Sequence, residues 1–346
     1  MIKVLIVDDS AVVRKILSEE LGKYKDIEII GTAVDPYVAR DKIVKLHPDV
    51  ITLDLEMPRM DGLSFLAKLM KHYPIPVVVL SSLTPKNSEL AMKALELGAV
   101  EVLGKPGTAY STQNVSQSLA RAIRAASVAQ IQRTPQNSAS PAVSINTSTL
   151  LTSTTHKVIA IGASTGGTRA IEVVLSDMPA SSPGTVIVQH MPEHFTSSFA
   201  KRLNELCQME VREARDNDPV VTGVALIAPG NHHMLLHRSG GNYLVKLKDG
   251  PMVHYQRPSV DVLFQSVATQ AGKNAIGVIL TGMGADGAKG LLAMKEKGAC
   301  TIAQNEESCV VFGMPKEAIK MGAVDKIVAL PDVSRSIIQA LQQETN

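Results

Sequence analysis

Two sets of polar side chains carry the chemistry of this sequence, and both stand directly after short apolar runs. In the first set, Asp8 and Asp9 follow KVLIV, Asp54 ends DVITLD, Ser81 and Ser82 end PVVVLSS, and Lys105 follows VEVLG. Carboxylates gathered at one point repel unless a cation neutralises them, and an open, oxygen-rich cluster suits Mg²⁺. A metal-flanked aspartate beside an ammonium and a hydroxyl is equipped to accept a phosphoryl group, because metal and ammonium offset charge on the phosphate oxygens. Any one Asp after a strand is also an ordinary helix cap, so the inference rests on the set.

The second set is a nucleophile with its partners. Ser164 lies in Gly162-Ala163-Ser164-Thr165-Gly166-Gly167, after VIAI and before the helical pattern TRAIEVVL. This is G-x-S-x-G in the strand, turn, helix context of a nucleophile elbow, with glycines where the backbone bends tightly. A helix start there also aims N–H groups at a developing oxyanion. The competing reading, a phosphate-binding turn, lacks the G-x-G-x-x-G spacing and an acidic residue ~20 positions on. A serine hydroxyl needs a base, and the base an orienting carboxylate. His190 ends TVIVQH, and Asp286, in TGMGADG, follows AIGVIL, so three strand ends supply Ser, His and Asp.

The chain order Ser, His, Asp differs from the Ser, Asp, His of α/β-hydrolases. That alternative would draw on Asp216 or Asp218 with His232, His233, His237 or His254, all in less regular sequence. His232 and His233 have no carboxylate or cysteine at metal-ligand spacing. His194, four after His190, would complete an i, i+4 metal pair only on a helix, and the strand end at His190 argues against one.

These residues need elements to position them. Residues 2–106 alternate strand-like runs with helical patterns: through Leu21, near 36–46, 62–72 and 86–97. Such alternation predicts an α/β fold, a doubly wound parallel sheet with helices on both faces. Ligands of such sheets bind outside the carboxyl ends of the strands, where all the residues above stand. Near-helical spacing over 116–132 predicts a helix closing this domain or leading out of it, and the Ser/Thr-rich stretch 134–155, without an acidic residue, reads as a flexible linker. A second unit follows, a parallel-sheet α/β domain with TVIVQH, AIGVILTG and CTIAQ as buried strands and VALIAPG and NYLVKLKDG as hairpin material. The expected domains are 1–106, a helix and linker over 107–155, and 156–346.

Composition agrees with two folded units in 346 residues. The 35 basic and 33 acidic side chains leave +2, and no block of like charge disposes the chain to nucleic acid. Divided by segment, residues 1–106 carry 14 basic and 15 acidic, 107–155 carry 3 and none, and 156–346 carry 18 of each, so the excess belongs to the linker. Aromatics at 3%, with no Trp, leave no base-stacking surface. No apolar stretch nears the ~18 residues of a membrane span, and Asp8 and Asp9 interrupt MIKVLIV, so neither membrane insertion nor export is expected, and the cytoplasm is the expected location. Cys207, Cys300 and Cys309 lack CxxC spacing and read as reduced packing residues.

VLIVDDS, LDLEMPRMDG, VVVLSS and LGKPG resemble the flavodoxin-like receiver domain of bacterial response regulators over about 1–106. The resemblance implies that Asp54 takes phosphate from a histidine kinase, that Asp8, Asp9 and Asp54 hold Mg²⁺, and that Ser81 and Lys105 contact the phosphoryl group. It departs at Val102, where the family often carries an aromatic switch residue. GASTGGT, QHMPEHFTSSFAKRLN, APGNHHML, RPSVDVLF and TGMGADGAKGL are similar to the catalytic domain of the chemotaxis-receptor methylesterase.

With a receiver in front, the whole chain resembles the CheB family of chemotaxis response-regulator protein-glutamate methylesterases. That implies a Ser164, His190, Asp286 triad without a cofactor and an oxyanion site at the N–H groups of Thr165 and Met283. The implied substrates are γ-glutamyl methyl esters of chemoreceptors, with deamidation of receptor glutamines as a second activity. Phosphorylation of Asp54 is expected to relieve inhibition by the receiver. The alternatives are a non-catalytic output domain binding protein or DNA, and a serine hydrolase acting outside chemotaxis. With the second unit near neutral, recognition of an acidic receptor helix is expected from local groups such as Arg257.

Overall fold

The computed structural model describes residues 1–82, 84–105, 112–130 and 157–343. The linker expected over 134–155 lies outside them. Two compact units divide the chain, Met1–Ile131 and Gln132–Asn346.

The first unit runs β1 (Ile2–Val7), α1 (Ala11–Leu21), β2 (Ile27–Ala33), α2 (Pro36–Leu46), β3 (Val50–Asp54), α3 (Gly62–His72), β4 (Val77–Ser81), α4 (Pro85–Glu96), β5 (Glu101–Gly104) and α5 (Thr112–Ser127). The five strands pair in parallel in the order β2-β1-β3-β4-β5, the reversal at β1 and β3 being the switch point where ligands bind. VITLD and VVVLS are buried along their whole length, as continuous apolar runs must be when helices cover both faces. Side-chain caps start the helices: Ser10 on α1, Asp35 ahead of Pro36 on α2, and Asp61 on α3. Leu119, Ala120, Ala122, Ile123 and Ala126 of α5 enter the same core as Val4, Ile6, Val78 and Leu80, so this unit extends past residue 106. The helix is needed because β4 and β5 would otherwise leave one face bare.

The second unit runs β6 (Val158–Ala163), α6 (Gly167–Ser176), β7 (Gly184–Gln189), α7 (Phe195–Leu206), β8 (Glu210–Glu213), β9 (Val224–Ile227), β10 (His233–Ser239), β11 (Asn242–Lys248), α8 (Val260–Gln270), β12 (Ala275–Ile279), α9 (Ala288–Glu296), β13 (Cys300–Gln304), α10 (Met314–Lys320), β14 (Lys326–Val328) and α11 (Val333–Gln343). Seven strands form one sheet, β14-β13-β12-β6-β7-β9-β8, and every pair is parallel. The central β6 lies between β7 and the much later β12, which places the switch point at its carboxyl end.

Half of the expected hairpin is elsewhere. VALI is β9, a parallel strand inside the sheet, and NYLVKLK pairs instead with HMLLHRS across the turn Gly240-Gly241. The reason is burial: β9 is apolar throughout, whereas β10 and β11 turn Met234, Leu236, Tyr243 and Val245 into the core and their polar residues outward. Among the described residues, no helix is long and apolar enough to cross a membrane.

Candidate active site

The register of the large sheet assembles the nucleophile set. Ala163 of β6 stands opposite Gln189 of β7, and the ladder continues one step, with the His190 N–H donating to Ala163 O at 3.0 Å. Ser164 and His190 are therefore the first residues beyond two adjacent strands. On the other flank, the Ser164 N–H donates to Thr281 O at 3.0 Å, two residues past β12. That bond commits the amide of Ser164 to Thr281 O, so this N–H is not one that an oxyanion could use.

Two glycines make this crowding possible. Gly166 caps α6 at φ 78°, a left-handed conformation, and a Cβ there would lie 2.6 Å from Val310 Cβ. A Cβ on Gly282 would meet Ser164 Cβ at 2.6 Å, so the backbone leading to Met283 lies against the serine. Ser164 and Thr165 are buried.

Asp286 reaches the same place from the turn after β12. Its Oδ2 lies 2.8 Å from His190 Nε2, and both side chains are almost fully buried. Three further donors hold the carboxylate: Ser259 Oγ at 2.8 Å and the Asp261 N–H at 3.0 Å on Oδ1, and the Val260 N–H at 2.8 Å on Oδ2. Burial pushes Asp286 up, but His190 and the backbone donors outweigh it and hold the carboxyl down at about 2. An ionised carboxylate accepts only, so Nε2 carries the proton. Nδ1 is then the basic nitrogen, buried and without a hydrogen-bond partner among the described residues. The arrangement can remove a proton from a hydroxyl and stabilise the resulting imidazolium.

Three supporting residues escaped the sequence analysis. Thr281 Oγ1 donates to Thr165 O at 3.0 Å and accepts from the Val311 N–H at 3.0 Å, tying the serine turn to β12. Gln189 Nε2 donates to the carbonyls of Ser164 and His190 at 2.9 and 3.0 Å. Ser259 caps α8 and holds Asp286. All three lie within the quoted segments TGMGADG, TVIVQH and RPSVDVLF, but only the fold shows what they touch.

Other candidates go elsewhere. His194 caps α7 and shares no helix with His190. His232 pairs with the exposed Asp249 at 2.8 Å, a carboxylate that sequence spacing did not reveal. His233 is buried, accepting from the Ser259 N–H at Nδ1 and donating to Pro251 O. Asp218 is bound to Arg212, and Asp216 accepts from the Leu247 N–H. Arg257 is not offered to a ligand as expected: its nitrogens donate to Asn231 Oδ1 and Gly250 O, so it clamps a turn. Cys207, Cys300 and Cys309 are free thiols raised by burial, Cys309 to about 12, which leaves them protonated and inert.

In the first unit, Asp8 and Asp54 are buried at the ends of β1 and β3, Ser81 is buried at the end of β4, and Lys105 follows β5. Lys105 Nζ lies 2.6 Å from Asp54 Oδ2 and 3.2 Å from Asp8 Oδ2. Burial pushes Asp54 up, with the Asp8 charge acting the same way, while Lys105 and the Glu56 N–H offset only part. Burial also pushes the Lys105 ammonium down, but Asp54 and Asp8 outweigh it and hold the group above its ordinary value. Both Oδ2 atoms are near Lys105 yet lack an aligned hydrogen bond, so they keep acceptor capacity. Carboxylate oxygens of Asp8, the exposed Asp9 and Asp54 lie within 4.8 Å of one another, a donor set that fits a hard divalent cation. Ser81 Oγ makes a long 3.5 Å bond to Ser82 O, and Val102 is buried in β5.

Comparison with known proteins gives the following. Residues 159–337 match the family model described as CheB methylesterase, and residues 4–114 that of the response regulator receiver domain. A protein-glutamate methylesterase/protein-glutamine glutaminase 2 of Syntrophus aciditrophicus is 62% identical over 98% of this chain and 98% of its own. The protein-glutamate methylesterase/protein-glutamine glutaminase of Salmonella typhimurium is 56% identical over 97% of this chain and 96% of its own. The crystal structure of the Thermotoga maritima CheB methylesterase catalytic domain superposes with a TM-score of 0.52 at 38% identity, covering 53% of this chain and 97% of that one.

Proposed function

This chain belongs to the CheB methylesterase family, with a response regulator receiver domain ahead of the esterase, and from that premise we propose the following chemistry and partners. The enzyme hydrolyses γ-glutamyl methyl esters on chemoreceptors and deamidates receptor glutamines, in the cytoplasm, under control of phosphorylation at Asp54. The observation that carries the catalytic reading is the meeting of Ser164, His190 and Asp286 at three neighbouring strand ends, with His190 Nε2 2.8 Å from Asp286.

Ser164 Oγ attacks the ester carbonyl while His190 Nδ1 takes its proton. The oxyanion is held by the N–H groups of Thr165 and Met283. Collapse breaks the C–O bond to methanol, which leaves with the proton from His190. Water, deprotonated by the same nitrogen, then attacks the acyl-enzyme and frees the glutamate and Ser164. Asp286 keeps the proton on Nε2 and balances the imidazolium charge. A glutaminyl amide follows the same path and releases ammonia.

A receiver joined to an esterase implies a protein substrate and a phosphodonor. Here the donor is a histidine kinase, whose phosphohistidine P–N bond breaks as an Asp54 oxygen bonds to phosphorus. Asp8, Asp9 and Asp54 would hold Mg²⁺, which when bound supplies charge neutralisation for the phosphoryl oxygens. Lys105 lies where its ammonium neutralises the same charge, and the Ser81 hydroxyl donates to it. A non-catalytic output domain is not favoured, because the esterase family model spans the second unit.

Methanol release from methylated receptor membranes tests the reading. It is expected from the phosphorylated chain, reduced in Asp54→Ala and abolished in Ser164→Ala. Full release by Ser164→Ala would overturn it.

A further inference from the structure

The segment between β13 and α10 holds no residue of the triad, yet it packs against the serine turn and against the turn after β12. A Cβ on Gly166 of the serine turn would meet Val310 Cβ at 2.6 Å. Val311 gives its N–H to Thr281 Oγ1 at 3.0 Å, and its carbonyl accepts the Gly282 N–H at 3.0 Å. Further along, the Gly313 and Met314 N–H groups both donate to Gly282 O, at 3.0 and 2.8 Å.

A peptide unit is planar and trans, so its C=O and N–H point in opposite directions. The carbonyl of Gly282 and the N–H of Met283 belong to one such unit. Two donors on that carbonyl therefore fix the direction of the Met283 N–H, away from the start of α10. They also polarise the unit, which makes the same N–H a stronger donor. Among the described residues, the Met283 N–H has no acceptor of its own.

Gly313 makes this double contact possible. Its φ is −109°, a negative value that residues with a side chain adopt, so the position requires space and not a special backbone. A Cβ there would lie 2.6 Å from Gly282 O, 2.9 Å from Gly284 N and 3.0 Å from Met283 Cα. All three are backbone atoms of the turn that carries the Met283 N–H. Any side chain at 313 has to push that turn.

We infer that Gly313 is a positioning residue for the oxyanion. Standing without a side chain against Gly282, it lets two amides at the start of α10 hold and polarise the peptide whose N–H stabilises the tetrahedral intermediate. Gly313 touches no reacting atom and acts through Met283. This rests on the proposed esterase reading, in which Met283 is an oxyanion donor, and deepens it by naming what aims that donor.

Gly313→Ala is assayed in the phosphorylated full chain on a small phenyl ester and on its thiono analogue, with sulfur in place of the carbonyl oxygen, by phenol release. Sulfur is a weak acceptor, so the thiono compound gains little from an aimed N–H. Loss of one oxyanion donor costs about 10²–10³ in rate, so a displaced one is expected to cost at least about tenfold in kcat/KM for the oxygen ester and less than about twofold for the thiono ester. Both rates are read in one preparation, so a smaller folded fraction lowers them alike and leaves their ratio intact. Equal losses on the two substrates, or none on the oxygen ester, would overturn the inference. Should the alanine variant not fold, Pro315→Gly decides. It adds no atom, loosens the start of α10, and is expected to lower the ratio of oxygen to thiono ester about threefold, whereas an unchanged ratio overturns the inference. A parent that hydrolyses neither substrate, or a Ser164→Ala variant as fast as the parent, removes the esterase reading and the inference with it. A parent that depends on Ser164, with an unchanged ratio in the variant, removes the inference alone.

Discussion

At the scale of single residues, the proton on His190 is decided by four donors converging on Asp286. Replacing Asp286 by Asn keeps the shape but presents an amide to Nε2, which favours the opposite tautomer. A fall in kcat of about 10⁴-fold is expected, measured by methanol release at pH 7. The same carboxylate contributes to stability with a definite sign. Its folded pKa, about 2, lies below the ordinary 3.8, so its contribution is full above about pH 4 and disappears as pH falls toward 2. The difference corresponds to about 2 kcal/mol. Urea unfolding of the parent at pH 5 and pH 3 is expected to show about half of this loss, since pH 3 still lies above the folded pKa, and Asp286→Asn to lack it. Thr281 offers a second check. Thr281→Val keeps volume and strands Thr165 O and the Val311 N–H, so it is expected to cost about 1–3 kcal/mol and to lower kcat more than it raises KM.

At the scale of elements, α5 does more than close a domain. Ile123 and Leu119 are fully buried in the core that α5 closes over β4 and β5. Ile123→Ala is expected to destabilise the first unit by about 2–5 kcal/mol, seen as a lower first melting transition with esterase activity retained. The strands and helices of this unit were legible because β3 and β4 are runs buried along their whole length and α1 to α4 each begin at a polar cap. Ser164, His190 and Asp286 were legible because each follows such a run. VALI was misread because a short apolar run looks alike in a hairpin and in a sheet, and burial on both faces is decided by neighbours far away in sequence. Thr281, Gln189 and Ser259 were hidden for a related reason: their partners depend on β12, β6 and β7 being adjacent. Arg257 was misassigned because a cation near a cleft says nothing of the carbonyls that bind it.

At the scale of the whole molecule, two separate cores predict two unfolding transitions by calorimetry. Mg²⁺ at ten times its dissociation constant is expected to stabilise the first by about 1.4 kcal/mol and to leave the second unmoved. Asp9→Asn should abolish the shift. Removing the first unit is expected to speed the esterase: residues 150–346 alone should outpace the unphosphorylated whole chain and match the phosphorylated one. Equal rates for the fragment and the unphosphorylated chain would remove inhibition by the receiver.

The central strand of the large sheet has one neighbour more than 100 residues downstream, with Ile159 paired to Ile276. During synthesis, the nucleophile therefore leaves the ribosome long before the strand that completes its surroundings. At ribosomal rates of roughly 5–20 residues per second, the stretch from residue 131 to residue 281 takes about 8 to 30 s. Throughout that interval the phosphate-responsive unit is complete and the esterase is not. A nascent chain therefore has its receiver domain in place before its esterase domain can be complete.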